Sequence, residues 1–147
     1  MLLAWALSCD SYELHDDATA DIYLAGFDTF FIEELPAEVD FLILARLLLM
    51  EDETDEIQLE ILGPPTPEGG PVGLGSFTYE IKPRPGINHR PGSMVGQIEA
   101  FVIPEVPVGA EGIYSVELYV GSEHREPTEE RRRSIFFNVY EGLPEGH

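Results

Sequence analysis

The chain has 147 residues, of which 28 are acidic and 8 basic, for a formal net charge of −20. That length suits one domain with a real core, and a hydrophobic content of 44% argues against disorder throughout. The charge repels phosphate backbones and anionic lipid, which argues against nucleic-acid binding by a broad basic surface and against a membrane-surface role.

Residues 1–9 are apolar, and residues 2–9 read as a first strand, apolar on both faces and so in need of cover on both. They do not read as an export signal, because no Lys or Arg precedes Arg46 and the run meets Asp10 after nine residues. The expectation is a cytoplasmic protein, or one in a particle assembled in the cytoplasm. Residues 10–21 read as a polar connection with Asp16 and Asp17 adjacent. Residues 22–32 predict a second strand carrying Phe27, Phe30 and Phe31, with Gly26 as a bulge. Pro36 ends it, having no ladder donor.

Residues 39–50 form a continuous apolar run, which periodicity alone cannot assign. An acidic turn at 51–56 and the alternation of Ile57, Leu59 and Ile61 follow it, a hairpin pattern that predicts a strand. Its faces are Phe41, Ile43, Ala45, Leu47 and Leu49 on one side, and Leu42, Leu44, Arg46, Leu48 and Met50 on the other. Residues 63–71 are rich in Pro and Gly and read as a loop. Residues 72–81 predict a strand with Phe77, Tyr79 and Ile81 on one face. Residues 82–93 form a second Pro/Gly loop, the least acidic stretch, holding Arg84, His89 and Arg90. In the strand at 94–103, Ile98, Ala100 and Val102 oppose Gln97, Glu99 and Phe101.

The clearest alternation lies at 112–121, where Tyr114, Val116, Leu118 and Val120 share one face. A charged loop at 122–130 precedes the last strand, 131–140, with Ile135, Phe137 and Val139 inward. About eight strands and no amphipathic helix predict an all-β, single-domain antiparallel β-sandwich, immunoglobulin-like or jelly-roll-like. Residues 1–140 form the domain and residues 141–147 a flexible C-terminal tail. Tyr114, at the start of its strand, suits a hydroxyl that pins a crossing loop.

The Trp5-Ala6-Leu7-Ser8-Cys9-Asp10 opening is followed by a Gly26-Phe27 strand, by Leu35-Pro36 before a long apolar strand, and by Gly112-Ile113-Tyr114. This order resembles an uncharacterised bacterial family of short β-proteins, a domain of unknown function. The resemblance spans most of the chain, implies a β-sandwich and carries no active site. The Pro/Gly stretches at 63–71 and 82–93 depart from it.

No catalytic residues and no cofactor are expected. Cys9 is the one cysteine, with no base nearby and a negative field that raises a thiol pKa. His15, His89, His124 and His147 are scattered without metal-site spacing. Glu51, Asp52 and Asp55 in the acidic turn are the candidates for weak divalent-cation binding. Arg84, His89, Arg90, Arg131 and Arg132 are the candidates for contact with an anion or a partner. Strands apolar on both faces need a further cover, by association or by the chain's own Pro-rich loops, and Trp5, Leu42, Leu44 and Leu48 are the candidate interface. The expected function is a non-catalytic interaction or assembly module. It would be a small oligomer or a subunit of a larger complex, such as a phage-like particle, with self-association or a protein partner. The alternative is a small-ligand module whose two Pro/Gly loops wall one cleft.

Overall fold

The computed structural model describes residues 1–121 and 131–142. Every regular element among them is a strand: β1 (Leu2–Ser8), β2 (Ser11–Leu14), β3 (Ala20–Tyr23), β4 (Thr29–Ile32), β5 (Ala37–Leu49), β6 (Asp55–Pro65), β7 (Pro71–Ile81), β8 (Val95–Val108), β9 (Gly112–Val120) and β10 (Arg132–Glu141). They form three sheets, ordered β1-β5-β8, β4-β10-β9-β6-β7 and β2-β3. All pairings are antiparallel except β4 with β10, which is parallel.

The alternation at 112–121 and 131–140 is realised as expected. Tyr114, Val116, Leu118 and Val120 are buried with Phe137 and Val139. They share one apolar cluster with Phe41, Ile43, Ala45, Leu47 and Leu49 of β5 and with Phe101 and Ile103 of β8. Its centre is aromatic. The Phe41 and Phe137 rings lie 4.7 Å apart, and Tyr114 stacks on Phe137 at 5.1 Å. The Tyr114 hydroxyl donates to the Ala110 carbonyl at 2.7 Å, pinning the crossing from β8 to β9.

Several expectations are corrected. The strands number ten, because residues 10–21 are not a plain connection: β2 and the start of β3 lie there, with Tyr12 and Ala20 turned inward. Residues 22–32 are two strands. Leu24 (φ 51°) and Gly26 (φ 84°) turn the chain between them, so Gly26 marks a turn rather than a bulge. No hairpin joins β5 to β6. Both edges of β5 are taken by β1 and β8, and both edges of β6 by β9 and β7, so the acidic turn carries the chain from one sheet to the other. The loop expected at 63–71 shrinks to a tip at 66–70. Strand β8 runs on to Val108 through a positive φ at Glu105, whose N–H donates to Asp40. Residue 141, read as tail, belongs to β10. Residues 122–130 and 143–147, read as loop and tail, lie outside the described residues.

Tyr114→Phe removes the hydroxyl bond and leaves the ring stack. It is expected to cost about 1 kcal/mol in denaturant unfolding, with little change in the slope of the transition. An unchanged midpoint would show that the bond to Ala110 contributes nothing.

Candidate functional site

The outer face of the β1-β5-β8 sheet carries Trp5, Leu7, Leu42, Leu44, Ile98 and Ala100. The sequence left the cover of this face open between a partner and the chain's own Pro-rich loops. The chain covers it itself: Tyr12, Ala20 and Ile22 of the β2-β3 hairpin pack on it, and Leu44 is 0% exposed. The hairpin is tied at its base, where Asp10 N–H donates to Tyr23 O at 3.0 Å and Gly26 N–H to Ser8 O at 2.6 Å. Trp5, Leu42 and Leu48 are half-buried. Of the apolar positions on β8, Val102 stays 54% exposed. Cys9 is buried in the same cluster, and burial, then the charge of Asp10, pushes its thiol up.

Residues 82–94 close over the end of this face and lock to the turn between β2 and β3. Gly86 abuts that turn so closely that a Cβ there would lie 2.9 Å from the Asp17 backbone. Ile87 N–H donates to Asp16 O at 2.9 Å. In the turn, Thr19 donates to Asp17 through both N–H and hydroxyl, and Ala18 holds φ 66°, a conformation a non-glycine residue adopts only when its surroundings impose it.

Arg84 is not free for an anion. Its guanidinium donates to Glu99 and to Ile98 O at 3.3 Å, and its N–H donates to Gln97 at 2.7 Å. Gln97, buried, also donates to Lys82 O and to Glu99, so this side chain is satisfied. His89 Nε2 lies 3.2 Å from Glu51, and Glu51 also accepts from Gly92 N–H. Arg90 is exposed.

Two cavities flank the Gly86 contact. One, of 330 Å³, is lined by His15, Thr19, Arg84, Ile87 and Gln97. The other, of 320 Å³, is lined by Asp17, Arg46, Asn88, His89, Arg90 and Ser93. The Pro-rich end of β6 and the start of the tip, residues 63–67, border a separate hollow with Pro107 and Tyr114. The two Pro/Gly loops therefore do not wall one cleft; the length of β7 separates them.

Among the described residues no group of three or more His, Cys, Asp or Glu side chains is placed to hold a metal. Glu51 serves the 82–94 segment, Glu53 takes the Met1 ammonium, and Asp55 caps Glu56 N–H at 2.8 Å. Arg132 sits over the Tyr119 ring at 5.1 Å, and its Nη2 lies 3.5 Å from Glu117. Arg131 O accepts from Val120 N–H, and its guanidinium lies beside Gly121.

Two features were missed. Arg46 is the lone charge in the apolar run 41–50, which was the available signal. Strand β7 is an edge strand, and residues 71–79 hold no charge in a chain where 24% of residues are charged.

The hydrogen bond that His15 makes to the Asp21 carboxylate pushes its imidazole above the usual pKa. Desolvation pulls the other way, and the charges of Asp21, Glu13 and Asp17 add to the rise. This hairpin pair is therefore fully present below the unfolded imidazole pKa and is lost as pH rises through the raised one. An NMR titration is expected to show His15 titrating above a reference imidazole and Asp21→Asn returning it toward the reference. In denaturant unfolding, Leu44→Ala is expected to cost about 2–5 kcal/mol, the range for a buried leucine; a cost near zero would show the hairpin does not cover it. Comparison with protein-family models and with curated proteins finds no match to this chain.

Proposed function

We propose that the β1-β5-β8 and β4-β10-β9-β6-β7 sheets pack face to face as an immunoglobulin-like β-sandwich, serving as a non-catalytic assembly module. Three observations support the fold. Side chains from both sheets share one apolar cluster. In immunoglobulin lettering β1-β5-β8 correspond to A-B-E and β10-β9-β6-β7 to G-F-C-C′, with β4 added parallel beside G. Tyr114, at the start of the strand in the F position, bonds back to Ala110 as a tyrosine corner does.

The edge strand β7 carries the functional reading. An edge presents unpaired N–H and C=O groups, and proteins ordinarily blunt it with charge, proline or shortness. Here the strand has eleven residues, most of them exposed, and from Pro71 to Tyr79 it has no charge. Two other edge strands, β1 and β4, are also uncharged, but they have seven and four residues, so residues 71–79 of β7 are the longest uncharged edge. The occupant is β7 of a second copy, paired antiparallel about a two-fold axis so that the same residues face each other. Pairing about Gly75 and Ser76 opposes no two like charges. The five-stranded sheet also exposes Phe31 stacked on Tyr140 at 5.7 Å, with Ile113 and Phe136 beside them, and such patches mark association surfaces.

Each copy carries a formal −20, so the dimer has to form against self-repulsion. Light scattering on a gel-filtration column is expected to show a dimer fraction that rises from about 20 mM to about 500 mM salt, as the screening length shortens. The Ser76→Glu, Thr78→Glu double variant is expected to be monomeric at both. A wild-type monomer at about 100 µM in both salts, with screening at its strongest, overturns the reading.

A further inference from the structure

In so acidic a chain most cations find carboxylates. Lys82 pairs with Glu80, Arg84 with Glu99, Arg132 with Glu117, His15 with Asp21 and His89 with Glu51. Arg46, Arg90, Arg131 and Arg133 have no carboxylate within ion-pair distance among the described residues, and of these Arg46 and Arg90 lie together. Both line the same 320 Å³ cavity, with Asn88 and Ser93 as further hydrogen-bonding groups.

The Arg46 guanidinium is positioned rather than loose. It leaves the middle of β5, half-buried, and its Nη1 donates to Ala18 O at 3.5 Å, the carbonyl presented by the positive-φ turn. Its Nη2 lies over Gly96 of β8, where any Cβ would come within 2.5 Å of it. Glycine at 96 thus leaves the space the guanidinium occupies. That long bond to Ala18 is its one hydrogen bond among the described residues, so the planar fork retains donors for a second acceptor.

We propose that this cavity binds a carboxylate through Arg46 and Arg90. Its charge favours a monoanion. Asp17 also lines it, with Oδ1 accepting both bonds from Thr19, and His89 is already matched by Glu51. The two guanidiniums less Asp17 leave one net positive charge. A phosphate dianion would exceed that charge and meet the field of the acidic chain, whereas a carboxylate matches the fork of a guanidinium in charge and in bidentate geometry. The carboxylate belongs either to a small free acid or to the C-terminus of a peptide.

The test is a proton–nitrogen NMR titration at fixed ionic strength with acetate, propionate, phosphate, trialanine and trialanine amide. Acetate and propionate are expected to shift the Ser93 and Gly96 amides and the Arg46 side chain saturably. Arg46→Gln and Arg90→Gln are each expected to weaken binding about tenfold, and Arg84→Gln to leave it unchanged. Arg90 is exposed, so its variant remains informative where Arg46→Gln perturbs folding. Trialanine binding more tightly than acetate, with the amide silent, assigns the site to peptide C-termini; equal binding of acetate and trialanine assigns it to small acids. The proposal is overturned by the absence of saturable shifts up to about 100 mM. It is equally overturned by binding indifferent to Arg90→Gln, or by phosphate binding more tightly than acetate.

Discussion

Strand β5 has to be kept from water on both faces, and the rest of the molecule is arranged to do so. Of its residues only Glu38, Asp40 and Arg46 are charged. Burying one large aliphatic or aromatic side chain is worth about 1.5–3 kcal/mol, so neither face can be left open cheaply. Phe41, Ile43, Ala45, Leu47 and Leu49 are covered by β6, β9 and β10, where Phe137 meets Phe41. Leu42 and Leu44 are covered by the β2-β3 hairpin. Since β1 and β8 occupy both edges of β5, the chain cannot fold back on itself after Leu49 and must cross to the other sheet.

The second cover explains where the acidic residues go. The hairpin is polar outward, with Glu13 and Asp21 exposed, and apolar inward at Tyr12, Ala20 and Ile22. A segment with few apolar residues can cover Leu44 because each strand needs only alternate positions for the task. Many of the acids then act as local fasteners. Glu51 holds residues 89–92, Glu99 holds Arg84, and Glu117 accepts from Ser134 and faces Arg132. The exposed pairs among them contribute little stability each, but together these contacts decide which arginines remain without carboxylates.

Legibility in the sequence followed the length and regularity of each strand. Strands β9 and β10 alternate over many residues, and their inward sets could be read directly. Strand β5 could be read as extended with two apolar faces, but the identity of its cover is non-local information. Strands β2, β3 and β4 have four residues each, too short for alternation to stand out, and the break between β3 and β4 depends on a positive φ at Leu24 that no residue type announces. The hairpin expected after β5 failed for a related reason: turn chemistry at 51–56 permits a reversal but does not say which sheet receives the next strand. At the site, Arg84 and His89 were singled out for contact with an anion or a partner. Glu99 and Glu51, which face them, are distant in sequence, so these pairings could not be seen. Arg46 was passed over because one arginine in an apolar run reads as tolerated rather than placed.

The edge of β7 and the Arg46 cavity are separable in structure and joined in sequence. The edge belongs to the five-stranded sheet. The cavity lies on the outer side of the three-stranded sheet, at the end of the face carrying Leu44 and Ile98. Ile81, the last residue of β7, is buried in the main core and leads directly into residues 82–94. A strand added along residues 71–79 therefore ends before this anchored residue and leaves the Arg84–Glu99 and His89–Glu51 contacts undisturbed. Occupying the cavity likewise draws on Arg46 and Arg90, neither of which touches β6 or β7 through any ion pair or side-chain hydrogen bond among the described residues. Buried Ile81 stands between them, and no ion pair or side-chain hydrogen bond among the described residues links residues 71–79 to the cavity. Each is therefore expected to act without altering the other, a consequence of the doubly covered β5 placing them on different sheets.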